Sequence, residues 1–237
     1  MNLTPLKAFE LVKYYSGAIP SYELVRDFLN LGASEFLIQS EYLKNSFHTD
    51  SVAGKRYYTL PDSCYKIIDV EFNDVTLPRF IGDVGIDDDE LAASGGNSLA
   101  TPTASSNDRY WYTKNGRLGI IEKATNAVTR DGKTTNVQSC SVSGSKNIRI
   151  YQVSKGTPLA DTDSQTSSTV AWFDEIPSEY QLAPVYRAVA EIYMMPNTVN
   201  TDMYDNFTDK FRSIVSDAKK AAKMQYRSSG MIKPCSF

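Results

Sequence analysis

The sequence predicts an α+β protein: a discontinuous helical bundle built from N- and C-terminal segments, with a central antiparallel β insertion. Three observations carry this. Apolar residues recur at helical spacing near both ends of the chain, while β-branched and aromatic residues broken by turn dipeptides fill the middle. The helical segments at the two ends each bear an apolar face that neither can cover alone. The expected division puts 1–55 together with 175–237 in the bundle and 56–174 in the β-rich insertion, with flexible loops near 91–108 and 154–169.

The first helix is read from "SYELVRDFLNLGASEFLIQSEYLKNSF", with Ser21 as its N-cap and Val25, Phe28, Leu29, Phe36 and Leu43 at three-, four- and seven-residue spacings. Gly32 is a weak point or a kink in it. After Gly54 the pattern becomes strand-like in "KRYYTLPDSCYKIIDVEFNDVTLPRF", where Asn73-Asp74 reads as a tight turn between two strands. "DRYWYTKNGRLGIIEK" places Asn115-Gly116 between two further strands, the dipeptide suited to the positive φ angles of a two-residue hairpin. Arg130-Asp131-Gly132-Lys133 is a second such turn, and "NIRIYQV" supplies another strand. Two stretches, "ELAASGGNSLATPTASSND" and "SKGTPLADTDSQTSST", are poor in large apolar side chains and read as exposed loops that order against a partner.

The chain then returns to helix in "TVAWFDEIPSEYQLAPVYRAVAEIYMM", a strand-like run followed by an acidic pair and a proline. Ser178 is the expected cap, Glu179 sits in the first turn where the helix dipole favours a carboxylate, and Pro184 falls in the early turns. Leu182, Val185, Tyr186, Val189, Ile192 and Tyr193 form its apolar face. Beyond the Pro196-Asn197 break, Met203, Phe207, Phe211, Ile214, Ala218, Ala221 and Ala222 make the stripe of a last helix with a charged outer face.

Composition narrows the function. With 237 residues and 41% hydrophobic content the chain can bury a substantial core. A net charge of −3 argues against a protein whose main task is to grip duplex nucleic acid, which needs a basic footprint. Three widely spaced cysteines, Cys64, Cys140 and Cys235, indicate neither a disulfide framework nor a zinc site. The N-terminus lacks the pattern of a secretory signal, and no apolar run approaches the roughly 20 residues of a membrane span, so a soluble protein made in the cytoplasm is expected.

Catalytic equipment is sparse. His48 is the single histidine, and a capping or surface role suits it better than chemistry for which no nucleophile or carboxylate partner can be placed. Asp83, Asp87, Asp88, Asp89 and Glu90 cluster without the spaced ligands and central glycine of a calcium loop, which fits a solvated acidic turn. "SGGNS" lacks the spacing of a phosphate loop, and neither a G-x-S-x-G elbow nor an H-E-x-x-H pair occurs. The fifteen tyrosines fall mainly where a core or an interface is expected. No catalytic residue, metal site or cofactor is expected.

One local asymmetry stands out. From Lys210 onward the basic residues Lys210, Arg212, Lys219, Lys220, Lys223, Arg227 and Lys233 meet one acidic side chain, Asp217, and the tail then presents Met231, Ile232 and Phe237. A basic helix end followed by an apolar tail suggests docking on a partner.

The order of "RYYTLPDSCYKIIDVEFNDVTLPRF", sheet ending in "NIRIYQV", "FDEIPSEYQLAPVYRAVAEIYMM" and a charged terminal helix resembles head-to-tail adaptor proteins of tailed bacteriophages, including ring proteins of crAss-like phages. The elements that carry the resemblance are Tyr58-Thr59-Leu60-Pro61 at the opening of the β part and Asp174-Glu175-Ile176-Pro177-Ser178-Glu179-Tyr180 before the first C-terminal helix. The resemblance implies a structural virion protein, not an enzyme, that forms a ring, commonly twelvefold, below the portal. The portal protein and downstream tail or ring proteins would be its partners, with DNA in transient, non-specific contact in the lumen. Lys223, Arg227, Met231, Ile232 and Phe237 are the expected portal-docking residues, and Tyr180, Tyr186, Asp87 and Asp88 the expected interface residues. Two rivals stay open from the residues alone: a carbohydrate-binding surface module using Tyr and Trp, and a metal-dependent hydrolase using the acidic cluster.

Overall fold

The computed structural model describes residues 3–18, 20–81, 108–130, 133–160 and 172–228, with the backbone alone described at 124–130, 133–138, 172–173 and 225–228. The fold is α+β, and the chain divides into two compact units: Met1–Lys44 with Val153–Phe237, and Asn45–Gln152.

In the first unit, α1 (Pro5–Ser16) starts where Thr4 accepts a hydrogen bond from the Lys7 N–H, carries proline in its first turn and stops at Gly17, whose φ of 64° is left-handed. Ser21 caps α2 (Tyr22–Ser40) by accepting from the Leu24 N–H, as the sequence indicated. α2 stops earlier than its apolar spacing suggested. Glu41 turns left-handed (φ 51°), and Lys44–Ser51 is strand β1, so Leu43 lies past the helix and His48 lies in a strand, not at a helix end.

On the C-terminal side, α3 (Trp172–Glu175) is a single helical turn where a strand-like run was expected. α4 (Leu182–Tyr193) begins four residues beyond Ser178, which therefore does not cap it: turns closed by Tyr180 N–H to Pro177 and Ala183 N–H to Tyr180 occupy the intervening residues, including Glu179. Pro184 is the third residue of α4, where its missing N–H has no intrahelical partner to lose. α5 (Thr201–Ser228) completes the unit.

Ala8, Val12, Val25, Leu29, Phe36, Leu37, Val185, Val189, Ile192, Phe207, Phe211 and Val215 share one apolar cluster, so helices from both ends of the chain close on each other. Ala183, Val185, Ala188, Val189 and Ile192 are all at most 1% exposed, which makes α4 the buried centre. Gly32 is a contact point and not a weak spot: a Cβ there would stand 2.9 Å from Arg187 Cβ and from the Pro184 carbonyl oxygen. Beside it, Arg187 grips Glu35 through Nε (2.6 Å) and Nη2 (3.3 Å) and also pairs with Glu191.

The second unit holds two sheets. β1, β8 (Gly144–Ser154), β3 (Cys64–Phe72) and β4 (Val75–Thr76) lie in the order β1-β8-β3-β4. In the other sheet, β6 (Arg117–Arg130) pairs antiparallel with β2 (Tyr57–Thr59), β5 (Arg109–Lys114) and β7 (Lys133–Ser139). The turns are those the dipeptides indicated: Asn73 and Asp74 have φ of 49° and 61°, and Asn115 and Gly116 have 51° and 71°. Arg130 pairs with Lys133 across the third turn, whose central residues lie outside the described set.

Tyr58, Val70, Phe72, Trp111, Leu118, Ile120, Ile148 and Ile150 form the core between the sheets. Tyr57, Tyr112 and Ile121, one residue out of phase, form a smaller cluster on the other face of the β2-β6-β5 sheet. There the Tyr112 ring lies across Gly119, its register partner, at a distance that leaves no room for a Cβ. Glu122 is fully buried, yet both oxygens are satisfied: Arg109 Nε donates to one at 2.6 Å and Ser141 Oγ to the other at 2.6 Å.

Replacing Gly32 by alanine tests the α2–α4 contact. The helix-propensity gain of up to about 1 kcal/mol should be outweighed by an overpacking cost of about 1–3 kcal/mol. Urea unfolding of Gly32→Ala should therefore show a lower midpoint, and an unchanged or higher midpoint would mean that Pro184 and Arg187 can move away freely.

Candidate functional site

The segment that leads into α4 is a structural clasp. Glu175 accepts from the Thr157 N–H (2.7 Å) and hydroxyl (2.8 Å) with its two carboxylate oxygens, which fixes the strand that leaves β8. Asn30 holds the same strand two residues on, accepting from the Leu159 N–H at 2.8 Å and donating to the Leu159 carbonyl at 3.1 Å. Ile176 is 1% exposed in the helical core, and buried Gln181 donates to its carbonyl at 3.0 Å while accepting from the Leu3 N–H at 2.7 Å. The acidic pair thus divides its labour: Asp174 is exposed, and Glu175 is spent on Thr157.

Tyr180 and Tyr186 are both half-buried in the helical unit. The Tyr180 ring lies 6.1 Å from Phe36 and 5.8 Å from Tyr42, and that of Tyr186 lies 5.8 Å from Tyr15 and 5.9 Å from Phe207. Burial pushes both phenols above their ordinary value.

Tyr58 of the Tyr58-Thr59-Leu60-Pro61 segment is 1% exposed, and its hydroxyl closes the turn before β2, donating to the Lys55 carbonyl (3.2 Å) and accepting from the Val52 N–H (3.4 Å). Burial pushes this phenol up to about 12. Pro61 follows as the first residue of a turn closed by the Cys64 N–H.

The charged face of α5 is less one-sided in space than in sequence. Asp209 pairs with Arg212 at 3.3 Å and Asp217 with Lys220 at 3.1 Å, each one turn apart and exposed. Lys210 lies over the Phe207 ring at 4.6 Å. Lys219 and Lys223 are exposed, and Lys219, Lys223 and Arg227 follow one another at four-residue steps along a single line of the helix. The apolar stripe ends at Ala222, and Met224 two residues on is 68% exposed. Cations at a helix C-terminus are favoured by its dipole. Of the expected docking residues, Lys223 is exposed, Arg227 is described in its backbone alone, and Met231, Ile232 and Phe237 lie outside the described residues, as do Asp87 and Asp88.

Among the described residues no group of three or more His, Cys, Asp or Glu side chains is placed to hold a metal ion. His48 is exposed on β1. Neither Cys64 nor Cys140 is in a disulfide among the described residues, and burial pushes the Cys140 thiol upward. No described helix is long and apolar enough to cross a membrane.

The arrangement is one of clasps, turns and surfaces, and comparison with known families agrees with it. The model of the SU10 adaptor protein family matches residues 1–232. The chain belongs to the SU10 adaptor protein family. No curated protein matches it. The adaptor is accordingly a structural phage virion protein, which does its work through contacts with other head or tail proteins.

The Tyr58 hydroxyl yields a pH test of the clasped turn. The folded state keeps the phenol protonated to about pH 12 while the unfolded chain releases the proton near 10, so this contribution is intact below pH 10 and lost as pH rises toward 12. Tyr58→Phe should lower stability by about 1 kcal/mol at neutral pH through its lost hydrogen bonds. In urea titrations above pH 10 the gap between the parent and Tyr58→Phe should narrow, and a gap independent of pH would rule out the buried phenol as a source of alkaline sensitivity.

Proposed function

We propose that this adaptor is one subunit of a closed ring at the head-to-tail junction, seated below the portal, twelvefold, and receiving the next tail or ring component on its other side. DNA passes through the lumen in transient, non-specific contact, in parallel with ring proteins of crAss-like phages. The observation that carries this reading is the family match across residues 1–232 in a chain whose signature segments serve structural clasps. A ring needs a heterologous interface that closes on itself, and two compact units joined in one chain supply distinct surfaces for neighbours and for partners of other symmetry. The net charge of −3 suits a conduit, because a strongly basic lumen would hold passing phosphates through salt-dependent contacts.

Portal docking falls to the end of α5 and the residues after it. Lys223 and Arg227 orient the encounter with acidic groups, and Met231, Ile232 and Phe237 enter apolar pockets that supply most of the affinity. Asp87 and Asp88 contact a neighbouring subunit, and the exposed edges of Tyr180 and Tyr186 add to ring contacts. Exposed ion pairs are worth about 0–1 kcal/mol each, so truncation should harm docking more than charge reversal. Removing 228–237 should sharply reduce incorporation into portal-containing heads, whereas Lys223→Glu with Arg227→Glu should reduce it less. Undiminished incorporation of the truncated chain would move the portal contact elsewhere, and electron microscopy of virions showing the chain as an isolated monomer away from the junction would end the ring reading.

A further inference from the structure

Between β3 and β5 the chain passes from one sheet to the other. The chain leaves β3 through β4, whose register partners are Glu71 and Phe72, and the Leu77 N–H then bonds the Val70 carbonyl. It crosses to β5, where Phe80 N–H donates to the Trp111 carbonyl at 2.7 Å and Trp111 N–H to the Pro78 carbonyl at 3.1 Å. Beside this crossing, on the Cys64–Ile67 side of β3, a cleft of about 620 Å³ opens, within the roughly 300–1,000 Å³ typical of ligand sites.

Its lining combines two chemistries. Leu60, Ile67 and Trp111 form apolar walls continuous with the sandwich core, and the charged side chains of the lining are Asp62, Lys66 and Arg79, of which Arg79 has the Trp111 ring as its side-chain partner among the described residues. Arg79 is held for recognition: its backbone is bridged to Trp111, and its guanidinium lies 5.3 Å from the indole centroid. A guanidinium resting on a ring keeps its N–H edges directed sideways, so the fork can take a carboxylate in two parallel hydrogen bonds without first losing rotamer freedom. The same contact covers the Trp111 face that a sugar ring would need.

We propose that this cleft is a docking site for an extended peptide segment of a partner protein, one that carries a carboxylate side chain flanked by apolar side chains. The carboxylate pairs with Arg79, and the apolar neighbours lie against Leu60, Ile67 and Trp111. Charge complementarity and the apolar walls together select this occupant: a nucleic-acid strand would match the cations but leave the walls wet, and a purely apolar strand would leave Arg79 without a counter-charge. The inference rests on the proposed adaptor role in taking the ligand to be a polypeptide, and it is independent of ring size or portal contact.

The test uses the full-length chain and a short fluorescent peptide in which Asp and Leu alternate, followed by anisotropy. Arg79→Ala should weaken binding about tenfold or more, and Arg79→Lys should fall between it and the parent because a point charge cannot reproduce the fork. Replacing Asp by Asn in the peptide should give a similar loss. Circular dichroism melts of both variants should match the parent, which separates lost docking from lost fold. Equal binding of the Asn peptide, tighter binding of a single-stranded oligonucleotide, or no binding of the acidic peptide would each overturn the proposal. So would binding that emerges only after Asp87, Asp88, Asp89 and Glu90 are changed to Asn or Gln, since the cleft's occupant would then be the chain's own acidic stretch. Because none of these readings uses virions, failure here leaves the ring reading standing, and failure of ring assembly leaves this one standing.

Discussion

Burial of α4 is the constraint on which the helical unit depends, because its buried positions Ala183, Val185, Ala188, Val189, Ala190 and Ile192 surround most of the helix and no single neighbour could cover them. α1 and α2 come from one end of the chain and α5 from the other, and all three pack on it. Each large apolar side chain taken from water contributes about 1.5–3 kcal/mol, so the chain's ends are brought together by the same burial that orders α4. The close approach at Gly32 and the Arg187–Glu35 fork then fix one registration of α2 against α4. That registration leaves Glu35 and Arg187 mutually paired and half-buried, a geometry in which loss of either partner would strand the other's charge.

The β unit uses a different device. Its β2-β6-β5 sheet is apolar on both faces at its centre, which would allow a one-residue slip to exchange one buried set for another. Fully buried Glu122 opposes such a slip, since it meets Arg109 and Ser141 only in the observed register. Arg109 also lies 4.4 Å from the Phe72 ring centroid of the facing sheet, so the pair ties strand register to sheet packing.

These features account for the motif residues of this adaptor in structural terms. Tyr58 and Glu175, which lie in the segments that carry the family resemblance, and Gln181 beside them each bond a backbone group of their own unit. The surfaces proposed for partners are the basic line of α5 and the cleft beside Arg79. A rigid interior with charge on its surface suits a connecting subunit.

The sequence by itself determined the α+β class, the Ser21 cap, the hairpins at Asn73-Asp74 and Asn115-Gly116 and the apolar stripe of α5, because periodicity, capping and turn chemistry act over a few residues. The signals of α1 are equally local, in Thr4, Pro5 and Gly17: a cap, a first-turn proline and a left-handed stop. The end of α2 at Ser40, the late start of α4 and the strand fold of His48 were not legible, since apolar spacing continues through Leu43 and Ser178 is a plausible cap whose use depends on the turns around Tyr180. Asp209, which directly precedes the basic run from Lys210, pairs with Arg212 and tempers the asymmetry of that run. Only the tertiary structure decided that Asn30 grips Leu159, that Gly32 admits Pro184 and that Arg79 rests on Trp111. Those partners lie far apart in the chain, and which of many polar or small residues meets which is set by the packing of whole elements, a choice that no local preference encodes.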